Sequence, residues 1–126
     1  MKYLSRLLLA FVLLQAFSAL AAGKAFTQSD FDVLESTGKP IVIHVHADWC
    51  STCKSQDAIL NPIIKSSEFN GVTFFQVNFD DQKEVLKKFN VANQSTIIVI
   101  KNGKEVGRLI GDTKQSSINA LVKKSL

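Results

Sequence analysis

Cys50 and Cys53 are the only cysteines in a chain of 126 residues, and only Ser51-Thr52 separates them. Thiols at that spacing close a small disulfide ring when they open a helix, so the pair forms a two-electron switch. A structural staple is a poor use for it. A crosslink over so few residues removes little freedom from the unfolded chain, whereas a stabilising bridge joins distant segments. Exchange chemistry needs one accessible thiol with thiolate character and a second to resolve the mixed disulfide. At the start of a helix, unsatisfied N–H groups and the positive dipole end favour a thiolate, which makes Cys50 the expected nucleophile. Cys53, one turn further in, is expected to be more buried and to keep its proton until it attacks.

The elements that must position this pair are legible on both sides of it. Ile41 to His46 reads as a strand, bounded by Pro40, rich in β-branched residues and apolar enough to be covered on both faces. A helix is expected from Cys50 to about Leu60, with Asn61-Pro62 kinking or breaking it before Ile63 and Ile64. Upstream, Thr27 to Ser36 reads as a short helix with Ser29 as N-cap, Phe31 and Leu34 on one face, and Thr37-Gly38-Lys39-Pro40 as its stop. Downstream come a strand over Val72 to Phe79, a helix through Val85, Leu86 and Phe89, and a strand over Thr96 to Lys101. Asn102-Gly103 signals a two-residue hairpin into Glu105 to Ile110; Gly111 then breaks the chain before an amphipathic helix carrying Ile118, Leu121 and Val122. Strands joined through helices, then a hairpin, then a final helix describe an α/β sandwich with a mixed central sheet.

At this point a resemblance becomes explicit. Ala47-Asp48-Trp49-Cys50-Ser51-Thr52-Cys53-Lys54 resembles the active-site segment of the thioredoxin superfamily, and the similarity extends through Phe89-Asn90-Val91 to Lys101-Asn102-Gly103-Lys104. The Ala-Asp-Trp-Cys form and the displaced Pro62 are similar to the C-terminal domain of DsbD and related exported proteins. The resemblance implies a thioredoxin-like three-layer sandwich with helices on both faces of the sheet. It implies a thiol-disulfide oxidoreductase in which Cys50 attacks and Cys53 resolves. Trp49 would flank the sulfurs, and Gln94-Ser95-Thr96 would form the substrate-facing loop. It also implies cysteine-containing protein partners and a membrane thiol electron donor, and the DsbD-like motif leans the direction toward reduction.

Several positions depart from the superfamily's pattern. Ser51-Thr52 stands where thioredoxins usually carry Gly-Pro and oxidising relatives Pro-His; the Thr52 hydroxyl either donates to the thiolate or caps the helix. His44 aligns with the buried acid that helps move the proton of the second thiol, and imidazole titrates in the range needed for that work. The alternative for His44 is a satisfied core histidine. His46 aligns with an aromatic position. Ser95 replaces a cis-proline; a cis bond before serine costs roughly 2.5–4 kcal/mol, so a trans bond is expected, with an added N–H and hydroxyl facing the cysteines.

Two further function classes stay open. His44 and His46 share a strand face directed toward Cys50 and Cys53, a set that suits a metal-binding module, although the spacing matches no usual zinc pattern. A binding domain that uses the fold without turnover is the other. The primary reading assigns no metal and no cofactor, since the two sulfurs carry the electrons themselves.

Residues 1–22 have a short basic start (Lys2, Arg6), an apolar stretch from Leu7 to Phe17 and a small-residue exit, the layout of a signal peptide cut after Ala21 or Ala22. The stretch falls short of the roughly 20 residues a membrane span requires. The expected organisation is therefore a signal peptide, 1–22, and one domain, 23–126, in an exported and periplasmic protein. The formal charge of +4 falls to +2 without Lys2 and Arg6, and the remaining basic residues are scattered, which gives no footprint for nucleic acid. A monomer acting on other exported proteins is expected.

Overall fold

A computed structural model describes residues 23–126; the expected signal peptide lies outside the described residues. In chain order the elements are β1 (Lys24–Ala25), α1 (Gln28–Ser36), β2 (Ile41–His46), α2 (Ser51–Lys65), a 3-10 turn (Ser67–Phe69), β3 (Thr73–Asn78), α3 (Lys83–Lys88), β4 (Thr96–Lys101), β5 (Lys104–Ile110) and α4 (Gln115–Lys123). The five strands form one sheet in the order β1-β3-β2-β4-β5. β1 and β2 both run parallel to β3, while β2–β4 and β4–β5 are antiparallel, which gives the expected mixed sheet.

The pleat of the central strands divides the core in two. Ile41, Ile43 and Val45 of β2 point to one side, where Phe31 and Leu34 of α1, Phe75 of β3 and Leu86 of α3 pack with them. Val42 points to the other, against Leu60 of α2 and Ile118, Leu121 and Val122 of α4. Because successive strand side chains alternate between faces, an unbroken apolar run such as Ile97-Ile98-Val99-Ile100 of β4 is what two covered faces demand. Gly107 of β5 lets α4 approach closely: a Cβ there would sit 2.8 Å from Leu121 Cδ1. Asn102 and Gly103 have φ of 53° and 73°, the paired positive values of a type I′ hairpin turn.

Three local expectations change. The cap of α1 is Thr27, whose hydroxyl accepts the Asp30 N–H at 3.2 Å, so the helix starts two residues earlier than a Ser29 cap allows. β1 is too short to show periodicity and exists only because β3 offers a parallel edge. Most informative is α2, which runs unbroken through Pro62 to Lys65. Proline's fixed φ suits a helix; what it removes is one N–H, here the donor to the Ala58 carbonyl. Leu60 is fully buried, and Ile59, Ile63 and Ile64 pack on the same core cluster, so burial on both sides of Pro62 outweighs that loss. Ala58 and Pro62 line an open groove, where water can reach the orphaned carbonyl. Among the described residues no helix is long and apolar enough to cross a membrane.

Replacing Pro62 by alanine restores the missing donor within a continuous helix. Chemical denaturation of Pro62→Ala is expected to show a gain of about 1–3 kcal/mol. A neutral or destabilising result would mean that the helix does not pass through this position in solution.

Candidate active site

Strand β2 delivers the chain to the site and α2 carries it away. After His46 the segment Ala47-Asp48-Trp49 turns, the Cys50 N–H donates to the Ala47 carbonyl at 3.1 Å, and Cys50 becomes the N-cap of α2. Its sulfur accepts the Cys53 N–H at 3.0 Å, the job that a serine or aspartate oxygen does at other helix starts. The two sulfurs are joined as a disulfide over one helical turn. Cys50 keeps 4 % of its surface exposed and Cys53 none, so the residue at the helix tip is the one within reach of a partner.

The side chain within hydrogen-bonding range of both sulfurs is that of Ser95. Its hydroxyl lies 3.1 Å from Cys50 Sγ and 3.1 Å from Cys53 Sγ, and the residue is buried. The bond before it is trans, as expected, but its backbone N–H does not face the cysteines: it donates to the Val45 carbonyl at 2.8 Å. Only the hydroxyl is presented to the sulfurs. The φ of Ser95 is 61°, a left-handed conformation that proline cannot adopt, so the loop differs in backbone as well as in side chain from one built on proline. Gln94 is half-buried, and Thr96 is buried with its hydroxyl donating to the Asn93 carbonyl at 2.8 Å. Trp49 is 61 % exposed, stands edge-on to Phe79 and donates its indole N–H to Asp80 at 2.9 Å. It stands beside the site without sealing it.

His44 and His46 share a face of β2, as the two-residue spacing requires, and both turn toward the second turn of α2. His44 Nε2 lies 2.8 Å from Gln56 Oε1. Gln56 is oriented without ambiguity, because its amide nitrogen donates to the Ser95 carbonyl at 3.0 Å and the Asp112 carbonyl at 2.9 Å. Its oxygen therefore faces His44, and Nε2 must carry the imidazole hydrogen. Asp57 sits between the two rings, 3.3 Å from His44 Nδ1 and 3.0 Å from His46 Nε2. His44 thus touches neither sulfur; Gln56 stands between it and the Ser95 loop. Nor do the imidazoles converge with the cysteines on a common point: among the described residues no group of three or more His, Cys, Asp or Glu is placed to hold a metal ion.

Gln56, Asp57 and Asp80 were not singled out by the sequence pattern. A signal for the first two exists: Cys53, Gln56, Asp57 and Leu60 fall at the i, i+3, i+4, i+7 positions of the buried face of α2. Polar residues on an inward face need partners, and polar residues on β2 were the available ones. Asp80 carries no comparable signal, since its role depends on where the turn after β3 lands.

The Thioredoxin family model matches residues 23–124. The chain belongs to the thioredoxin family. It is 34% identical over 98 residues to a thioredoxin of Echinococcus granulosus, covering 75% of this chain and 89% of that one. It is 31% identical over 101 residues to a thioredoxin of Chlamydia caviae, covering 79% and 94%. Thioredoxin H2 of Arabidopsis thaliana is 31% identical over 87 residues, which span 69% of this chain but only 64% of that protein. Among solved structures, Trxlp from Edwardsiella tarda EIB202 superposes with a TM-score of 0.75 at 37% identity, covering 78% of this chain and 96% of that one. Thioredoxins are thiol-disulfide oxidoreductases, and the Cys50–Cys53 pair at the tip of α2 places this chain among them.

The polar layer under α2 is testable through stability. Gln56→Leu removes the partner of His44 Nε2 and of the Asp112 carbonyl, and urea unfolding is expected to show a loss of about 1–3 kcal/mol for each buried group left unpaired. The neighbouring exposed variant Ser55→Ala is expected to stay within about 0.5 kcal/mol of the parent.

Proposed function

We propose that the chain is an exported, periplasmic thiol-disulfide oxidoreductase that acts as a monomer on cysteine-containing exported proteins, with its electrons supplied by a membrane thiol donor. The observation that carries the reading is the capping of α2 by a sulfur: Cys50 accepts the Cys53 N–H and keeps the residual exposure, while Cys53 is fully buried. In the reduced protein the same N–H favours a thiolate on Cys50. That thiolate attacks one sulfur of a partner's disulfide, and the partner's other sulfur leaves with the electron pair. Cys53 then attacks Cys50 Sγ, closes the intramolecular disulfide and expels the second partner thiolate. Run backwards from the bonded pair, the same steps oxidise a dithiol.

Trp49 and the Gln94-Ser95-Thr96 segment flank the sulfurs and form the docking face. With Ser95 and Thr96 buried and the Ser95 N–H and carbonyl already paired, Gln94 is what the segment offers a partner. His44 takes part as a positioning residue, since its Nε2–H holds Gln56, which holds the Ser95 carbonyl. Export is supported by the leader-like layout of residues 1–22 and by a family match that begins at residue 23. The lean toward reduction rests on the similarity of the Ala-Asp-Trp-Cys segment to the C-terminal domain of DsbD.

The deciding measurement titrates the purified domain, residues 23–126, in glutathione redox buffers and follows reduction of a model protein disulfide. A reversible two-electron transition is expected, with turnover abolished in Cys50→Ser and a stable mixed disulfide trapped by Cys53→Ser. Full turnover by Cys50→Ser would overturn the assignment. Export is checked separately by mass measurement of the mature protein, which is expected to begin after Ala21 or Ala22; recovery of the protein with Met1 intact would refute it.

A further inference from the structure

Ser95 combines three features that an incidental serine has no reason to share. It is almost fully buried, it holds a φ of 61° that costs a non-glycine residue roughly 1–2 kcal/mol, and its hydroxyl is equidistant, at 3.1 Å, from both sulfurs of the redox pair. Its backbone is tied at both ends: the N–H donates to the Val45 carbonyl at 2.8 Å, and the carbonyl accepts from the Gly111 N–H at 2.9 Å and Gln56 Nε2 at 3.0 Å. A residue fixed this firmly in an unfavourable conformation delivers one free polar atom, Oγ, to one place. Strain that surrounding structure maintains is a pointer to function when, as here, the outlier itself touches the reacting atoms.

The geometry points to Ser95 as a catalytic residue whose hydroxyl stabilises the thiolate on whichever sulfur carries it during exchange. A hydroxyl has one hydrogen to donate and lone pairs to accept with. Between a thiolate and a thiol it satisfies both, donating to the Cys50 anion while the Cys53 S–H donates to it. This is the charge state the reduced pair needs before attack. When Cys50–S⁻ attacks R–S–S–R′, the Cys50–S–S–R bond forms and R′–S⁻ departs with the electron pair. Cys50 is then neutral, and the proton of Cys53 passes to R′–S⁻. The Ser95 hydrogen, released from Cys50, turns to the Cys53 thiolate at the same distance. Cys53–S⁻ attacks Cys50 Sγ, the internal disulfide forms, and R–S⁻ leaves. The sum is one thiolate, one thiol and R–S–S–R′ giving one disulfide, R–S⁻ and R′–SH, with protons, charge and electrons balanced.

This inference rests on the oxidoreductase reading, and the test separates the two. Ser95→Ala and Ser95→Gly both delete the hydroxyl; glycine accepts the positive φ without strain, so it keeps the loop geometry where alanine resists it. In each reduced variant, Cys50 is titrated by its ultraviolet thiolate absorbance and by the pH profile of its alkylation with iodoacetamide. Neither readout requires a protein substrate. Loss of a charge-assisted hydrogen bond is expected to move both midpoints up by about one pH unit, a roughly tenfold smaller thiolate fraction below the midpoint. Release of a preformed mixed disulfide by Cys53 is expected to slow by a similar factor. If the parent turns over normally while both variants keep its Cys50 midpoint and its release rate within about twofold, the role given to Ser95 is wrong and the oxidoreductase reading stands. If the parent itself shows no Cys50-dependent turnover, the oxidoreductase reading fails on its own account.

Discussion

Three successive carbonyls at the end of β2 hold the site together. Val45 accepts the N–H of Ser95 at 2.8 Å, His46 that of Phe79 at 2.9 Å, and Ala47 that of Cys50 at 3.1 Å. Buried backbone groups must be paired, and a strand that stops in the middle of a sheet leaves its last acceptors for whatever segments arrive next. Here those segments are the hydroxyl-bearing loop, the aromatic wall beneath Trp49 and the cap of the redox helix. β2 is itself fixed between β3 and β4 and covered on both faces, so the sulfurs, Ser95 and Trp49 are referred to one rigid strand end.

Under the first turns of α2 lies a second constraint of a different kind. His44, His46, Gln56 and Asp57 form a buried polar layer where apolar packing would also fill the space. The contacts of Gln56 are the satisfied part of this layer and specify its arrangement, while His44 Nδ1 and Asp57 Oδ1 face each other at 3.3 Å with no hydrogen-bond partner among the described residues. Gln56 is the hinge of this layer, because it joins the His44 ring to the carbonyls of Ser95 and Asp112 and so sets the height of the loop against the helix. The His44 ring is connected to the site through this amide and the Ser95 carbonyl, while His46 meets Asp57 instead. Among the described residues, Ser95 and the backbone are what the sulfurs meet at hydrogen-bonding range.

Much of the fold is legible without coordinates. Ile41–His46 and Thr96–Lys101 are strands over the same residues that their β-branched runs indicate, and Asn102-Gly103 turns the hairpin it signals. Ile118, Leu121 and Val122 are the buried residues of α4, as their spacing requires. Where the sequence misleads, the reason is tertiary. Proline at 62 reads as a stop because its local cost is visible, while the burial of Leu60 and its neighbours that offsets the cost is not. β1 has no pattern of its own and borrows its conformation from β3. The histidines read as facing the cysteines, since a strand fixes which side a residue takes but not which helical turn lies opposite.

What the sequence determined by itself is the chemistry and its placement at a helix start: two thiols at a one-turn spacing, behind a strand too apolar for anything but the centre of a sheet. Local periodicity and short-range spacing are properties of consecutive residues, so they are readable in one dimension. Tertiary structure alone decided the surroundings of the sulfurs. The left-handed turn at Ser95, the contact of its hydroxyl with Cys50 and the amide bridge from Gln56 join residues 45 and 39 positions apart. Nothing local in Asn93-Gln94-Ser95 announces them, because the partners that make that conformation worth its strain come from β2 and α2.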